Sequence, residues 1–300
     1  METDLKKWHE DEKVWWNQHG EYMNLQWKLN DNLNKLLRND LEIDYENYLF
    51  SPKQKMLDVG CGSGWFARSF SEKGMFVTGI DVSQEQINIA NNLKSKTKDD
   101  KLTFICCDLL DWDCSELESH FDVIFVSAFL HHLPMVELEE IIRKISFVLK
   151  KSGKVYLYEP LESNNKNNFL VKIIDHVNNI MIEIFLTLIP KFFKLYNKRH
   201  IQELENGYSM ESPHERPLNK DELESIFMKY FDVIEIRAWH IYSLGFSMQA
   251  MGLKKAALRF YSIIISLLVV WEKALIKTFG WEAFSRPGRF ILCGIKLVKK

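Results

Sequence analysis

A chain of 300 residues, 46% hydrophobic and 27% charged, can fill a sizeable core and has room for one large α/β domain with insertions or for two small domains. Its net charge of −2 excludes a global basic field that would hold nucleic acid. The five cysteines, Cys61, Cys106, Cys107, Cys114 and Cys293, show neither metal-ligand spacing nor a disulfide framework, and the charged N-terminus METDLKKWHEDEKVWWNQHG lacks the apolar run of a signal peptide; a cytoplasmic setting is expected.

Residues 1–50 alternate charge with Trp8, Trp15, Trp16, Trp27, Leu29, Leu33, Leu36 and Leu37, which predicts amphipathic helix. Ser51-Pro52 punctuates its end. A strict strand–helix rhythm follows. MLDVGCG is a strand entering a glycine-rich turn, and WFARSFSEKG is a helix closed by Gly74. FVTGIDVS is the second strand. QEQINIANNLKSK is the second helix, opened by Ser83 as N-cap with Gln86 at capping-box spacing. LTFICCDLL is the third strand, with Cys106 and Cys107 read as small core residues. FDVIFVSAF is a fourth strand apolar enough for burial on both faces. VELEEIIRKISFVLKKSG is a helix ending at Gly153, and KVYLYEP is the fifth strand. This alternation predicts a doubly wound, seven-stranded, mostly parallel sheet with helices on both faces.

Past Pro160 the rhythm breaks. An apolar helix from about Phe169 to Tyr196 is interrupted by Pro190, and the polar loop ENGYSMESPHERPLNK leads into the short helix DELESIFMKYF. FDVIEIRAWHIYSL and FILCGIKLVK are the sixth and seventh strands, separated at 245–289 by the apolar helix RFYSIIISLLVVWEKAL. The expected organisation is an N-terminal helical cap at 1–50, a nucleotide-binding core at 51–160, a helical insertion or substrate cover at 161–231, and the last two strands with their insertion at 232–300. The apolar runs are too short to span a bilayer, and Glu183, Pro190, Arg259, Glu272 and Lys273 break or flank them. They are expected as an extra helical layer, with a membrane-interface contact and a homodimer contact as the alternatives.

The sharpest motif is Asp58-Val59-Gly60-Cys61-Gly62-Ser63-Gly64, which leaves a strand and opens a helix. Glycine is required where the chain turns tightly and a ligand must approach the backbone. Asp58 occupies a strand position that is normally apolar in dinucleotide folds; a carboxylate there suits a cationic amino group. Asp81 ends the next strand, nineteen residues beyond Gly62, where an acidic side chain accepts from ribose hydroxyls. Asp108, at the end of the third strand, is placed to receive an adenine amine. Three carboxylates at the carboxyl ends of neighbouring strands face one crevice.

LDVGCGSG, GIDVS, CDLLDW, FDVIFVSAFLHHL and LKKSGKVYLYEP together resemble the successive motifs of class I S-adenosylmethionine-dependent methyltransferases, over roughly residues 50–160 and more loosely the final strands. The resemblance implies S-adenosyl-L-methionine as cofactor. It implies Gly60, Cys61, Gly62 and Gly64 along the methionine moiety with Asp58 at its amino group. Asp81, with Val82 and Gln86, falls to the ribose; Asp108 and Leu109 to the adenine; and Ser127 and Ala128 to the sulfonium. The GxGxG spacing and Asp58 argue against a nicotinamide-dependent oxidoreductase; a membrane-surface or partner-binding module on the same scaffold is the non-enzymatic alternative.

A general base helps methyl transfer only when the acceptor has a proton to lose. His131 and His132, just past the fourth strand, and Glu159, ending the fifth, are the candidates. His176, His200, His214 and His240 lie where the pattern assigns no role. No metal cluster is evident. Trp15, Trp16, Tyr22 and Trp27 are candidates to line an acceptor pocket, and Asn164, Asn165, His214 and Arg216 to border it. The pattern EPLESNN, apolar helix, ESPHERPLNKDEL is similar to a bacterial subgroup acting on small or lipid-linked molecules, which implies a small-molecule or lipid-like acceptor and no nucleic acid partner.

Overall fold

Alternate residues of each central strand feed opposite cores. In β4 (Phe121–Ser127), Ile124 and Val126 join one apolar cluster while Val123 and Phe125 join another. A computed structural model shows this arrangement and describes residues 2–29, 47–49, 51–97, 99–163, 169–196, 212–243, 246, 253–285 and 291–300. The remaining strands are β1 (Lys55–Val59), β2 (Phe76–Asp81), β3 (Leu102–Cys106), β5 (Leu149–Glu162), β6 (Leu218–Asn219), β7 (Phe231–His240) and β8 (Ile291–Lys299). They form one sheet in the order β3-β2-β1-β4-β5-β8-β7, with β6 paired to the end of β5. β1 to β5 run parallel, and β8 is antiparallel to both β5 and β7. The order reverses between β1 and β4, where open α/β sheets form their ligand crevice.

The helices are α1 (Glu2–Leu29), α2 (Trp65–Glu72), α3 (Gln84–Thr97), α4 (Met135–Val148), α5 (Phe169–Glu183), α6 (Ile189–Phe192), α7 (Lys220–Phe227) and α8 (Lys255–Phe279). α2 sets Ala67 and Phe70 against one sheet face; α4 sets Leu138, Ile141, Ile142 and Ile145 against the other. Ser83 caps α3 as the sequence predicts, its hydroxyl accepting from the Gln86 N–H at 3.2 Å.

Several expectations shift. The fourth-strand helix ends at Val148, not Gly153: Leu149 is already extended and pairs with Phe121, so β5 begins five residues early. An eighth, two-residue strand appears because Leu218 and Asn219 pair with Leu161 and Glu162 before Asn219 caps α7. Cys106 and Cys107 are not core: β3 is an edge strand, leaving Cys106 exposed and Cys107 half-buried. The insertion helix is broken more gently than Pro190 suggested. A π-helical turn, Ile184–Leu188, joins α5 to α6, and a widened turn makes room for a proline ring that would otherwise press on the preceding carbonyls.

Glu272, read as a flanking charge of α8, is fully buried. Its carboxylate accepts from the backbone N–H groups of Ile241, Tyr242 and Ser243 and from the Ser243 hydroxyl at 2.6 Å, which ties α8 to the exit of β7. His240 is buried there too, its Nδ1 2.8 Å from Ser243 Oγ. Tyr242 donates to buried Asp175 at 2.5 Å, fixing α5 to the same corner. The expected helix over 30–46, together with His200, Asn164 and Asn165, lies outside the described residues, as do the side chains of Tyr22 and Trp27.

Candidate active site

The turn after β1 is built from three left-handed glycines, Gly60, Gly62 and Gly64, with φ of 67°, 50° and 73°. They do different work. A Cβ on Gly60 would fall 2.7 Å from the Phe129 ring, and one on Gly64 would fall 2.6 Å from Phe104 Cε1. Gly62 has open space, with Gln86 Oε1 the nearest atom at 3.8 Å. A ligand can therefore approach the backbone at Gly62. Cys61 packs its sulfur on Gly79, and burial followed by the nearby Asp81 and Asp58 charges pushes its thiol up, so it is a packing residue.

Asp58 is buried, and its Oδ2 has no hydrogen-bond partner. Burial, reinforced by the Asp81 charge, pushes its carboxyl up to about 8 against the pull of the Ala67 N–H. A buried oxygen with no donor is costly unless a ligand supplies one. Asp81 accepts from the Gly62 N–H at 2.8 Å and the Ser83 N–H at 2.8 Å, which locks the glycine turn to the end of β2. Burial pushes its carboxyl up, and those two bonds oppose the shift. Val82 follows, half-buried, and Gln86 is buried between the glycine turn and Gly20 of α1. Asp108 lies two residues past β3, its Oδ1 accepting from the Leu110 N–H at 2.9 Å beside buried Leu109.

Ser127 ends β4. Ala128 turns the chain at φ 50° and donates its N–H to Tyr158 O at 2.9 Å. The next three residues converge on Glu159, which is fully buried. Its Oε1 accepts from the N–H groups of Phe129 and Leu130 at 2.9 and 3.0 Å; its Oε2 lies 2.7 Å from His131 Nδ1. Nδ1 faces that carboxylate as a donor, and Nε2 lies 3.7 Å from Glu215 Oε1, too long for a hydrogen bond. His132 points elsewhere: its Nδ1 is 2.8 Å from Ser212 Oγ and 3.3 Å from Glu12 Oε2.

α1 crosses the carboxyl ends of the strands. Trp8 donates to His132 O at 2.7 Å, and His9 lies 2.8 Å from Glu137 and 3.7 Å from Asp108. Asn17 Oδ1 accepts from the Ser83 hydroxyl and the Glu85 N–H at 2.8 and 3.2 Å. Glu12 is buried and accepts from the His214 N–H at 3.0 Å. Burial raises its carboxyl, but His132, that N–H and Ser212 outweigh burial and hold it below the usual range. His214 stacks on Trp8 at 4.1 Å, and Arg216 donates to Leu133 O at 2.5 Å, so the polar loop packs on α1 and the His131–Leu133 turn. Trp16 meets His132 edge-on at 5.5 Å, whereas Trp15 stacks on His19 of its own helix. Glu12, Asn17 and Ser212 were missed by sequence reasoning. The only signal was Trp8, Glu12 and Trp16 at four-residue spacing: a carboxylate on an aromatic stripe. Among the described residues, no group of three or more His, Cys, Asp or Glu is placed to hold a metal.

A family model described as a methyltransferase domain matches residues 56–153, from β1 into β5. Residues 56–153 thus carry a methyltransferase domain, and the matches support a class I S-adenosylmethionine-dependent methyltransferase. The cofactor of that family is S-adenosyl-L-methionine, and the free Asp58 oxygen and the open side of Gly62 fit its amino acid moiety. The ubiquinone biosynthesis O-methyltransferase of Vibrio campbellii is 30% identical over 165 residues, covering 55% of this chain and 65% of that protein. The match thus spans just under two thirds of the relative's length. The enzyme of the same name from Aliivibrio fischeri is 29% identical over 196 residues, covering 65% of this chain and 75% of that protein. Among solved structures, the YcgJ protein of Bacillus subtilis has a TM-score of 0.52 at 16% identity, over 88% of this chain and 99% of that one. Phosphoethanolamine N-methyltransferase 2 of Haemonchus contortus has a TM-score of 0.53 at 18% identity, over 88% and 52%. These likenesses show the shared fold and lend no support to a nicotinamide enzyme.

Proposed function

We propose that this chain transfers the methyl group of S-adenosylmethionine to an oxygen nucleophile on a small or lipid-like acceptor. The observation that carries the choice of oxygen is the His131–Glu159 pair, since a hydroxyl acceptor has a proton to lose. The names of the Vibrio and Aliivibrio relatives support the same choice. When bound, the cofactor supplies an electrophilic methyl on a sulfonium.

The chain's residues do the rest. Asp58 receives the amino group at its free oxygen, and the backbone at Gly62 lets the ligand close. Asp81, with Val82 and Gln86, takes the ribose side; Asp108 and Leu109 take the adenine; Ser127 and Ala128 border the sulfonium. Phe129, pressed on Gly60, sets the His131 turn directly beside the glycine turn. His131 Nε2 accepts the acceptor's proton. Glu159 touches no substrate: it holds the Nδ1 proton and stabilises the imidazolium that forms. His132, engaged by Glu12 and Ser212, joins α1 and the 212–217 loop over the crevice. That cover, continued by the apolar insertion, favours an apolar or amphipathic acceptor. The five free cysteines support a cytoplasmic setting. Peripheral contact with a membrane fits the apolar helices better than a homodimer, because Lys191, Lys194, Lys254 and Arg259 are exposed on the segments where α6 meets α8.

Calorimetry with S-adenosylhomocysteine tests the reading. Micromolar binding that Asp81→Ala abolishes supports it; binding of NAD instead, or no nucleotide binding, overturns it. Labelled methyl transfer to a panel of phenols, amines and carbon acids then identifies the acceptor atom.

A further inference from the structure

We propose that the surface where α6 meets the start of α8 docks on an anionic lipid bilayer. The two segments are pinned together. Tyr196 and Leu253 form a β-bridge, the Lys254 N–H donates to Leu195 O at 2.7 Å, and Lys254 Nζ donates to Lys194 O at 2.7 Å. Beneath them a separate apolar cluster, including Leu186, Phe246, Leu253, Tyr261 and Ile265, is already closed. The insertion therefore has its own core. Phe192, Phe193 and Phe260 nevertheless remain outside it, 80%, 63% and 56% exposed. Single exposed apolar residues need no explanation, but three aromatic rings at one junction do. The apolar surface continues along α8 through Ile263, Leu267 and Val270.

The two segments that carry these rings bear charge of one sign. Lys191, Lys194, Lys254 and Arg259 are exposed, and neither 189–196 nor 253–260 contains an Asp or Glu. The whole chain carries −2, so this positive patch is local. Aromatic rings among lysines match the bilayer interface, where rings enter the headgroup layer and cations meet anionic lipid. No helix among the described residues is long and apolar enough to cross a membrane, so the contact is peripheral. A second copy is the poorer occupant. A two-fold contact would set these four cations against the same four of its partner.

The test is flotation of the full chain with vesicles of equimolar phosphatidylcholine and phosphatidylglycerol, and with vesicles of phosphatidylcholine alone. The expected result is partition onto the anionic vesicles, weakened about tenfold or more by Lys191→Glu with Lys194→Glu. Phe192→Ser with Phe193→Ser, and separately Phe260→Ser, should also release the protein. All three variants should keep the wild-type melting temperature and S-adenosylhomocysteine affinity, since these side chains are exposed. No partition, equal partition onto neutral vesicles, or partition unchanged in the variants overturns the proposal. So does a dimer in sedimentation that Phe192→Ser with Phe193→Ser dissolves. The proposal does not rest on methyl transfer: failed flotation leaves nucleotide binding untouched, and failed nucleotide binding leaves flotation untouched.

Discussion

The Glu159 carboxylate holds His131 Nδ1 at 2.7 Å while its other oxygen accepts from the backbone of Phe129 and Leu130. One buried group thus fixes both the turn after β4 and the tautomer of the histidine in it.

Glu159→Gln should therefore separate chemistry from binding. The amide can present an N–H to Nδ1, which moves the ring proton to Nε2 and removes the basic lone pair. We expect kcat to fall by roughly 10²–10⁴, with KM and S-adenosylhomocysteine affinity changed little. His131→Gln should lose as much, and the double variant no more, because the two act as a unit. Equal losses in affinity and kcat would instead mark Glu159 as scaffolding alone.

Asp58 predicts a proton count. Its carboxyl sits at about 8, so at pH 7 the ligand-free protein holds most of a proton there. An ammonium group arriving at Oδ2 favours the ionised form. Binding of S-adenosylhomocysteine at pH 7 should release close to one proton, read by calorimetry in buffers of different ionisation enthalpy; Asp58→Asn should release none. The stability of the ligand-free protein follows the same linkage. The folded-state value is raised, so the native state binds more protons than the unfolded chain between about pH 4 and 8. Stability therefore falls as pH rises through that window, and Asp58→Asn removes the slope.

The glycine turn and its three acidic strand ends were legible because chemistry and spacing there are local. Asp81 lies nineteen residues from the Gly62 N–H it receives, with one helix between them. α1 was not legible in the same way. Asn17 meets Ser83 across 66 positions, Trp8 meets His132 across 124, and Glu12 meets His214 across 202. Hydrophobic periodicity identifies a helix but not the surface that receives it. The same gap explains Glu272, read as a charge flanking an apolar run, to which the turn after β7 delivers three backbone N–H groups. The early start of β5 was hidden because helix propensity continues through Leu149-Lys150-Lys151 while β4 offers a pairing edge.

α1 should detach in acid. Glu12 is held below the usual carboxylate range, so its contribution is complete above about pH 4.5 and is lost as pH falls through its folded value. Hydrogen exchange across residues 4–20 should accelerate below that point before the central strands open. Glu12→Gln should exchange faster at neutral pH and lose the acid step. Asn17→Ala, which removes an acceptor from the start of α3, should cost about 1 kcal/mol without any pH dependence.

The glycines offer the sharpest separation of packing from binding. All three hold a positive φ, so alanine at each costs roughly 1 kcal/mol of backbone strain. Gly64→Ala adds a collision with Phe104, and Gly60→Ala a collision with Phe129, both in packed surroundings. Gly62→Ala meets nothing closer than 3.8 Å. If Gly62 is where the ligand closes on the backbone, its alanine variant should show the smallest drop in melting temperature and the largest loss of S-adenosylhomocysteine affinity. Gly64→Ala should show the reverse. Thermal melts with and without the ligand read both quantities in one experiment, since the ligand-induced shift reports affinity and the ligand-free midpoint reports packing. A Gly62→Ala protein with an undiminished ligand shift would move the close approach away from this turn.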